Sequence, residues 1–137
     1  MTLVDAAARE RATDPLGCYC VSAPAGSGKT TLLVKRLLRL LTRVADPENI
    51  VAITFTRKAA AEMRARVLGA LQVAADSPPA DAHARDLAEL ADMVRRRDAQ
   101  RGWGLLANPT RLRIQTIDSF CGELARQMPV LSGSGGQ

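Results

Sequence analysis

The stretch Ala23-Pro24-Ala25-Gly26-Ser27-Gly28-Lys29-Thr30 stands between an apolar run and an apolar segment of helical pattern that starts at Thr31. Gly26 and Gly28 give the backbone the freedom to turn successive N–H groups toward one anion. Lys29 can reach the outer phosphates of a nucleotide, and the Thr30 hydroxyl can ligate Mg²⁺. The helix that follows directs its N-terminal dipole at the same anion. We therefore predict a P-loop that binds ATP and Mg²⁺ through residues 23–31, with Lys29 and Thr30 as catalytic residues, although the first Gly of the strict pattern is Ala23.

Three similar units recur along the chain, each an apolar run followed by a polar turn and a helical pattern. The runs are Cys18–Ser22, Ile50–Phe55 and Leu112–Ile117. Strands that alternate with helices predict an α/β fold with a parallel sheet and helices on both faces. The first two runs lack alternation, which is typical of buried parallel strands, whereas the third alternates and is expected nearer an edge. Because ligands bind at the carboxyl ends of such strands, the three turns are expected to meet at one edge.

The segments between the runs predict helices and one loop. Helices are expected over Thr31–Leu41 and from Lys58 through Val67, with a loop at Asp76–Ala80. A further helix has four apolar residues on one face: Leu87, Leu90, Ala91 and Val94. The arginine run Arg95–Arg97 is interpreted as a solvated helix end rather than a phosphate contact. The last helix is predicted to start at Asp118 or Ser119, either of which can cap it.

Composition narrows the class of protein. The 137 residues suit one domain, and a net charge of +5 favours an acidic partner, of which nucleic acid is the usual one. No apolar run is long enough to cross a bilayer and no signal-peptide pattern is present, so no membrane partner is expected. Cys18 and Cys20 are expected on one face of a strand as small core residues in a reducing cytosol, and with His83 in a polar loop no metal cluster is predicted.

Two further stretches resemble motifs of a known family. Thr54-Phe55-Thr56-Arg57-Lys58-Ala59-Ala60-Ala61-Glu62-Met63 resembles motif Ia of the superfamily 1 helicases related to UvrD, Rep and RecB. Thr116-Ile117-Asp118-Ser119-Phe120-Cys121 resembles their next motif, with Asp118 where members usually carry His, and the P-loop fits their first motif. The three motifs come in the family's order and cover the chain. The tail at Arg126–Pro129 is similar to the large RecB- or AddA-type members.

The resemblance implies a fold and an activity. Residues 1–137 would form the N-terminal part of a UvrD-like ATP-binding domain, an incomplete RecA-like motor domain with a three-layer arrangement. The protein would be an ATP-dependent DNA helicase of repair or recombination, moving 3′ to 5′, in the bacterial cytoplasm at the nucleoid. Its partners would be single-stranded and duplex DNA, the rest of the helicase polypeptide, and a nuclease domain or nuclease-type partner subunit. The residues implied in contact with single-stranded DNA are Thr54, Phe55, Thr56, Arg57, Lys58, Thr116, Asp118 and Ser119.

The chain also departs from the family pattern. Members place an adenine-reading Gln 21 residues before the P-loop lysine, where this chain has Ala8, so that contact is missing or supplied otherwise, as by Arg9. No Asp-Glu pair follows an apolar strand, so the remaining groups for hydrolysis are expected after Gln137 and residues 1–137 alone are predicted to be inactive. The alternatives are another P-loop enzyme, such as a small kinase or transporter ATPase, and a stand-alone module that binds nucleotide or DNA without catalysis.

Overall fold

The computed structural model describes residues 5–73, 81–128 and 131 of the chain. The predicted loop at Asp76–Ala80 lies outside these residues. Short 3₁₀ turns at Pro47–Asn49 and Pro109–Arg111 lead into the two strands. In chain order, the elements of the described part are α1 (Ala6–Ala12), α2 (Lys29–Leu41), β1 (Val51–Thr54), α3 (Arg57–Gln72), α4 (Ala82–Arg101), β2 (Arg113–Thr116) and α5 (Ile117–Gln127).

The core lies among α2, α3 and α4, which pack against one another through their apolar stripes. The predicted apolar face of α4 is confirmed, since Leu90, Ala91 and Val94 are buried and Leu87 packs against them. Burial of such stripes stabilises helices far more than intrinsic propensity does. The same cluster contains Val34, Leu37, Leu38 and Leu41 of α2, Ala60, Met63, Val67 and Leu71 of α3, and Trp103, Leu105, Leu112 and Ile114.

The second and third apolar runs form a parallel pair of strands, as predicted. Val51 of β1 lies opposite Arg113 of β2, and Thr54 lies opposite Thr116. The crossover between the strands carries α3 and α4, which gives parallel pairing the long connection that it requires. The protein is therefore α/β, with a sheet of two strands in the described part of the chain.

The first apolar run, Cys18–Ser22, is not a strand, which corrects the prediction. A strand requires a hydrogen-bonded neighbour, and no segment within the described residues pairs with this one. Cys18 and Cys20 are exposed thiols, so the expectation that they fill the core is wrong. Tyr19 and Val21 are exposed as well.

The prediction that β1 is buried on both faces is also wrong. On one face of the sheet Ala52 and Ile114 pack toward the core. On the other face, along which α5 packs, Val51 and Ile53 remain 39% and 49% exposed. The second face of β1 is therefore only partly covered in the described structure.

The arginine run of α4 is only partly solvated. Arg95 Nη1 donates to the carbonyl oxygens of Leu71 and Val73 at 3.1 and 2.7 Å, and Arg97 holds the carbonyl of Val44. These carbonyls lie at or just after the ends of α3 and α2, where the last turn has no intrahelical donors. The interpretation as a solvated helix end is confirmed for Arg96, which is exposed, and wrong for its two neighbours.

Candidate functional site

The P-loop turn ends in two glycines with left-handed backbone. Gly26 has φ +77° and Gly28 has φ +87°, a region that residues with a Cβ rarely adopt. Gly28 is the N-cap of α2, and no side chain caps that end of the helix. The first N–H groups of a helix have no intrahelical partner, so this end presents free donors beside the exposed side chains of Lys29 and Thr30.

Ser27 lies between the two glycines. Its backbone is hydrogen-bonded within the turn, whereas its hydroxyl has no partner in the described structure. Its N–H donates to the carbonyl oxygen of Pro24 at 3.3 Å. Its Oγ is buried and has no hydrogen-bond partner within the described structure. Buried polar atoms are nearly always paired in proteins, and an orphaned one is typical of a site that a ligand or water completes.

Two cavities flank this loop. The first, of about 430 Å³, is lined by Ala8, Arg9 and Lys29 among others. The second, of about 840 Å³, is lined by Gly28 and by His83, which belongs to α4 rather than to the loop expected from the sequence. Ala8 therefore lies beside the P-loop, and its methyl group offers no hydrogen bond to a ligand.

Arg9 is engaged with the protein itself. Its Nη2 donates to the carbonyl oxygen of Ser27 at 2.7 Å, and its Nε donates to Asp5 Oδ2 at 2.8 Å. From the sequence, Arg9 is expected only as a substitute reader of a base. The spacing of Asp5 and Arg9, four residues apart, is a signal for their ion pair, whereas the contact with Ser27 depends on how α1 folds back.

A cluster of opposite charges joins α1 to α2 and α4. Glu10 lies 3.2 Å from Lys35 Nζ and also pairs with Arg39, while Lys35 pairs with Asp86 of α4. The hydrogen bond from Arg39 lowers the pKa of the Glu10 carboxyl below its ordinary value. Ion-paired side chains from α1, α2 and α4 therefore line one side of the second cavity.

The turn after β1 is organised by its two threonines. Thr54 Oγ1 donates to the carbonyl oxygen of Thr56 at 3.0 Å, and Thr56 Oγ1 accepts the N–H of Ala59 at 3.1 Å, which caps α3. Phe55 lies between them and is 92% exposed, so its ring is not part of the core. Arg57 and Lys58 are exposed in the first turn of α3.

The turn after β2 uses the same device. Thr116 is the N-cap of α5 and accepts the N–H of Ser119 at 3.2 Å, which corrects the prediction that Asp118 or Ser119 starts the helix. A threonine at the strand end reaches the third N–H of the helix and so fixes its start earlier than expected. Asp118 is exposed in the first turn of α5, where a carboxylate is stabilised by the helix dipole.

The register of the sheet sets these two turns side by side. Since Thr54 lies opposite Thr116 in parallel strands, both turns leave the same edge, as predicted for these two. The prediction that the P-loop turn leaves this edge as well is wrong for the described structure, because Cys18–Ser22 is not a strand of the sheet. The P-loop is connected to the other two turns through the packing of α2 against α3 rather than through the sheet.

Neither a metal cluster nor a membrane span is found in the described part of the chain. None of its His, Cys, Asp and Glu side chains form a group of three or more able to hold a metal ion. None of its helices is both long enough and apolar enough to cross a membrane.

A glycine turn in left-handed conformation, opening a helix whose first residues are an exposed lysine and threonine, defines a P-loop protein of the α/β class. Residues 4–134 match the family described as the UvrD/REP helicase N-terminal domain. The chain belongs to this family.

Curated relatives share a third or more of their aligned residues with this chain. It is 41% identical to the A subunit of the ATP-dependent helicase/nuclease of Moorella thermoacetica over 104 residues, which are 74% of this chain and 6% of that protein. It is 37% identical to the protein of the same name from Desulfitobacterium hafniense over 123 residues, 88% of this chain and 8% of that protein. The chain thus spans less than a tenth of the length of these relatives. No solved structure matches it significantly.

Proposed function

We propose that this chain is the nucleotide-binding start of an ATP-dependent DNA helicase, with ATP at residues 23–31 and single-stranded DNA at the turns after β1 and β2. The observation that carries the proposal is the end of α2, where left-handed Gly28 precedes exposed Lys29 and Thr30 and no side chain caps the helix. Membership of the UvrD/REP family supports ATP as the nucleotide and DNA as the polymer.

In the nucleotide site the backbone binds phosphate and two side chains supply charge and coordination. The N–H groups of Gly26, Gly28, Lys29 and Thr30, in the turn and at the N-terminus of α2, donate to the phosphate oxygens. Lys29, as the catalytic cation, neutralises charge on the outer phosphates. Thr30 would hold Mg²⁺ through its hydroxyl, with water and phosphate oxygens as the further ligands that this ion prefers. Bound Mg²⁺ supplies further neutralisation of the phosphates; the buried, unpartnered Ser27 Oγ fits a loop that a ligand completes.

The groups exposed at the proposed DNA site are the Phe55 ring, the positive charges of Arg57 and Lys58, and the hydroxyl of Ser119. Phe55 offers a face on which a base stacks, and Arg57 and Lys58 attract the backbone at a helix start. The hydroxyls of Thr54, Thr56 and Thr116 serve first to shape the turns.

Ser119 keeps a hydroxyl proton for a phosphate oxygen, because its Oγ accepts from Thr116 at 2.9 Å. The carboxylate of Asp118 next to it lowers affinity for the DNA backbone. Ser119 therefore raises the affinity for the DNA strand, whereas Asp118 lowers it.

The larger assembly belongs to the proposal as well. We propose that the two described strands are part of a three-layer RecA-like sheet, and the partial exposure of Val51 and Ile53 supports further cover there. We also propose residues 1–137 as the first part of that ATP-binding domain. The names of the relatives support a helicase-nuclease with more than one subunit. A role in bacterial DNA repair or recombination, movement 3′ to 5′, a cytoplasmic location, and a nuclease domain or nuclease-type partner subunit complete the proposal.

The test is a substitution of Lys29 in the intact protein. Lys29→Ala should abolish DNA-stimulated ATP hydrolysis and unwinding of a tailed fluorescent duplex, because the outer phosphates lose their point charge. Arg43→Ala is the matched control, since it removes one exposed positive charge beyond the opposite end of α2. Unwinding by Lys29→Ala at the rate of the unmodified protein would exclude the proposed nucleotide site.

A further inference from the structure

The Arg9 guanidinium reaches from α1 to the outer side of the P-loop. Its Nη2 lies 2.7 Å from the carbonyl oxygen of Ser27. A Cβ built on Gly28 would lie 3.2 Å from Arg9 Nη1, so the guanidinium is packed against the loop itself. The third nitrogen of the guanidinium, Nε, donates to Asp5 Oδ2 at 2.8 Å. Arg9 is therefore fixed by one carboxylate and in turn fixes one peptide of the loop.

This contact acts on the peptide that joins Ser27 to Gly28. When the N–H groups of a phosphate-binding loop turn inward, carbonyl oxygens turn outward, and each requires a donor of its own. Arg9 is the donor for Ser27, directly ahead of the left-handed Gly28. A peptide plane held by its carbonyl is also held in the direction of its N–H, because the two lie in one rigid unit.

The helix that carries Arg9 is itself anchored to α2. Glu10 pairs with Lys35 and Arg39 on one side. On the other side Arg36 Nη1 donates to the carbonyl oxygens of Ala12 and Asp14 at 2.9 and 2.8 Å, just where α1 ends. A seven-residue helix is too short to be stable by itself, so these contacts determine where Arg9 lies.

We propose that Arg9 is a positioning residue of the P-loop: it holds the Ser27 carbonyl so that the loop is preorganised for a triphosphate, and its effect on binding is independent of the base. This inference rests on the proposed nucleotide site at residues 23–31. Preorganisation lowers the entropy that a ligand must remove when it orders the loop. Arg9 also faces the cavity that Lys29 lines, so its charge adds to the attraction for phosphate.

The experiment compares three ligands on the intact protein, namely ATP, GTP and inorganic tripolyphosphate, by displacement of a fluorescent ATP analogue. Arg9→Ala should weaken all three by a similar factor of about tenfold or more, because a charge-assisted hydrogen bond to the loop is lost. Arg9→Lys should recover only part of the affinity, since an ammonium cannot hold Asp5 and the Ser27 carbonyl in one plane. Asp5→Asn should cause a smaller loss of the same uniform kind.

Arg11→Ala is the matched control. Arg11 lies on the same helix and lines the same cavity, yet it makes no hydrogen bond to the P-loop in the described structure. Its substitution should weaken the binding of tripolyphosphate by a smaller factor than Arg9→Ala does, because it removes positive charge from the cavity but no hydrogen bond to the loop. Melting temperatures of all variants, measured without ligand, separate loss of the loop contact from loss of the fold.

Two results would overturn the inference alone. An unchanged affinity of Arg9→Ala and Arg9→Lys for tripolyphosphate would remove Arg9 from the loop's function. A loss confined to ATP, with GTP and tripolyphosphate unaffected, would make Arg9 a reader of the base instead. Failure of the unmodified protein to bind any of the three ligands would overturn the proposed nucleotide site together with the inference, which distinguishes the two failures.

Discussion

Arg97 of α4 donates twice to the carbonyl oxygen of Val44, from Nε at 3.0 Å and from Nη2 at 2.6 Å. The same guanidinium lies 5.9 Å from the centre of the Trp103 ring, and Trp103 Nε1 donates to the neighbouring carbonyl of Ala45 at 3.0 Å. The chain just after α2 is thus held by two side chains from far along the sequence.

Arg97→Ala should lower the free energy of unfolding by about 1.5–3 kcal/mol, because a charged donor is removed from partly buried carbonyls. Arg96→Ala, one position away and 77% exposed at its side chain, should change it by less than about 0.5 kcal/mol. Chemical denaturation of the purified variants measures both values. Equal effects of the two substitutions would contradict the structural role given to Arg97.

Substitution of Gly28 tests the left-handed turn. Gly28→Ala should lower the free energy of unfolding by about 1–2 kcal/mol, because φ +87° strains any residue with a Cβ. It should also weaken nucleotide binding, because the backbone relieves that strain by rotating and so moves the N–H groups of the loop. The matched control is Gly69→Ala within α3, where an added Cβ meets no atom within 4 Å. That change should stabilise the protein by up to about 1 kcal/mol, and a loss of nucleotide binding there would contradict the argument.

Phe55 provides a test of DNA contact that leaves the fold intact. With 92% of the residue exposed, Phe55→Ala should change the free energy of unfolding by less than about 0.5 kcal/mol. Affinity for single-stranded DNA should fall by about fivefold to a hundredfold, the range given by one lost stacking contact. Leu16→Ala, which removes an apolar side chain that is 79% exposed elsewhere, should leave DNA affinity unchanged. Fluorescence anisotropy with a labelled oligonucleotide distinguishes the two.

A fall in pH should weaken the ion pair between Glu48 and Arg111. Hydrogen bonds from Arg111 at 2.6 and 3.0 Å lower the pKa of the Glu48 carboxyl below its usual 4.5. A depressed pKa in the folded state gives stability that is present above the unfolded value and lost as the pH falls through the folded value. The difference in free energy of unfolding between the unmodified protein and Glu48→Gln should therefore shrink as the pH falls below about 4.5.

The control for that titration is Glu62→Gln, an exposed position on α3 that forms no ion pair within the described residues. A Glu48→Gln difference that depends on pH no more than that of this control would show that the ion pair contributes nothing to stability.

Local patterns predicted the parts of this structure that local chemistry determines. The P-loop glycines, the end of α2 at Leu41, the apolar face of α4 and the parallel pairing of the second and third runs all follow from the sequence, whereas α2 starts at Lys29, two residues before the predicted Thr31. The cap of α5 was misplaced because Thr116, Asp118 and Ser119 can all cap a helix, and the strand that ends at Thr116 decides among them.

Apart from the pairing of β1 with β2, features that depend on distant partners were not predicted. Cys18–Ser22 has the composition of a strand, yet strand formation depends on a neighbour that no sequence pattern names. In the sequence, Arg95 and Arg97 resemble part of a solvated helix end. Their contacts with backbone carbonyls arise because α4 packs across the ends of α3 and α2. The roles of residues in nucleotide and DNA contact remain predictions, to be decided by the measurements above.

Parallel pairing of Val51 with Arg113 has a consequence for the order in which the protein acquires its structure. The partners are about sixty residues apart, so their pairing must close a long loop, which is slow unless α3 and α4 have already shortened it. We expect the helices to be protected early and the β1–β2 amides late in pulsed hydrogen exchange during refolding; simultaneous protection would contradict this. The edge that presents Phe55 and Ser119 is then assembled last, after the scaffold beneath it has folded.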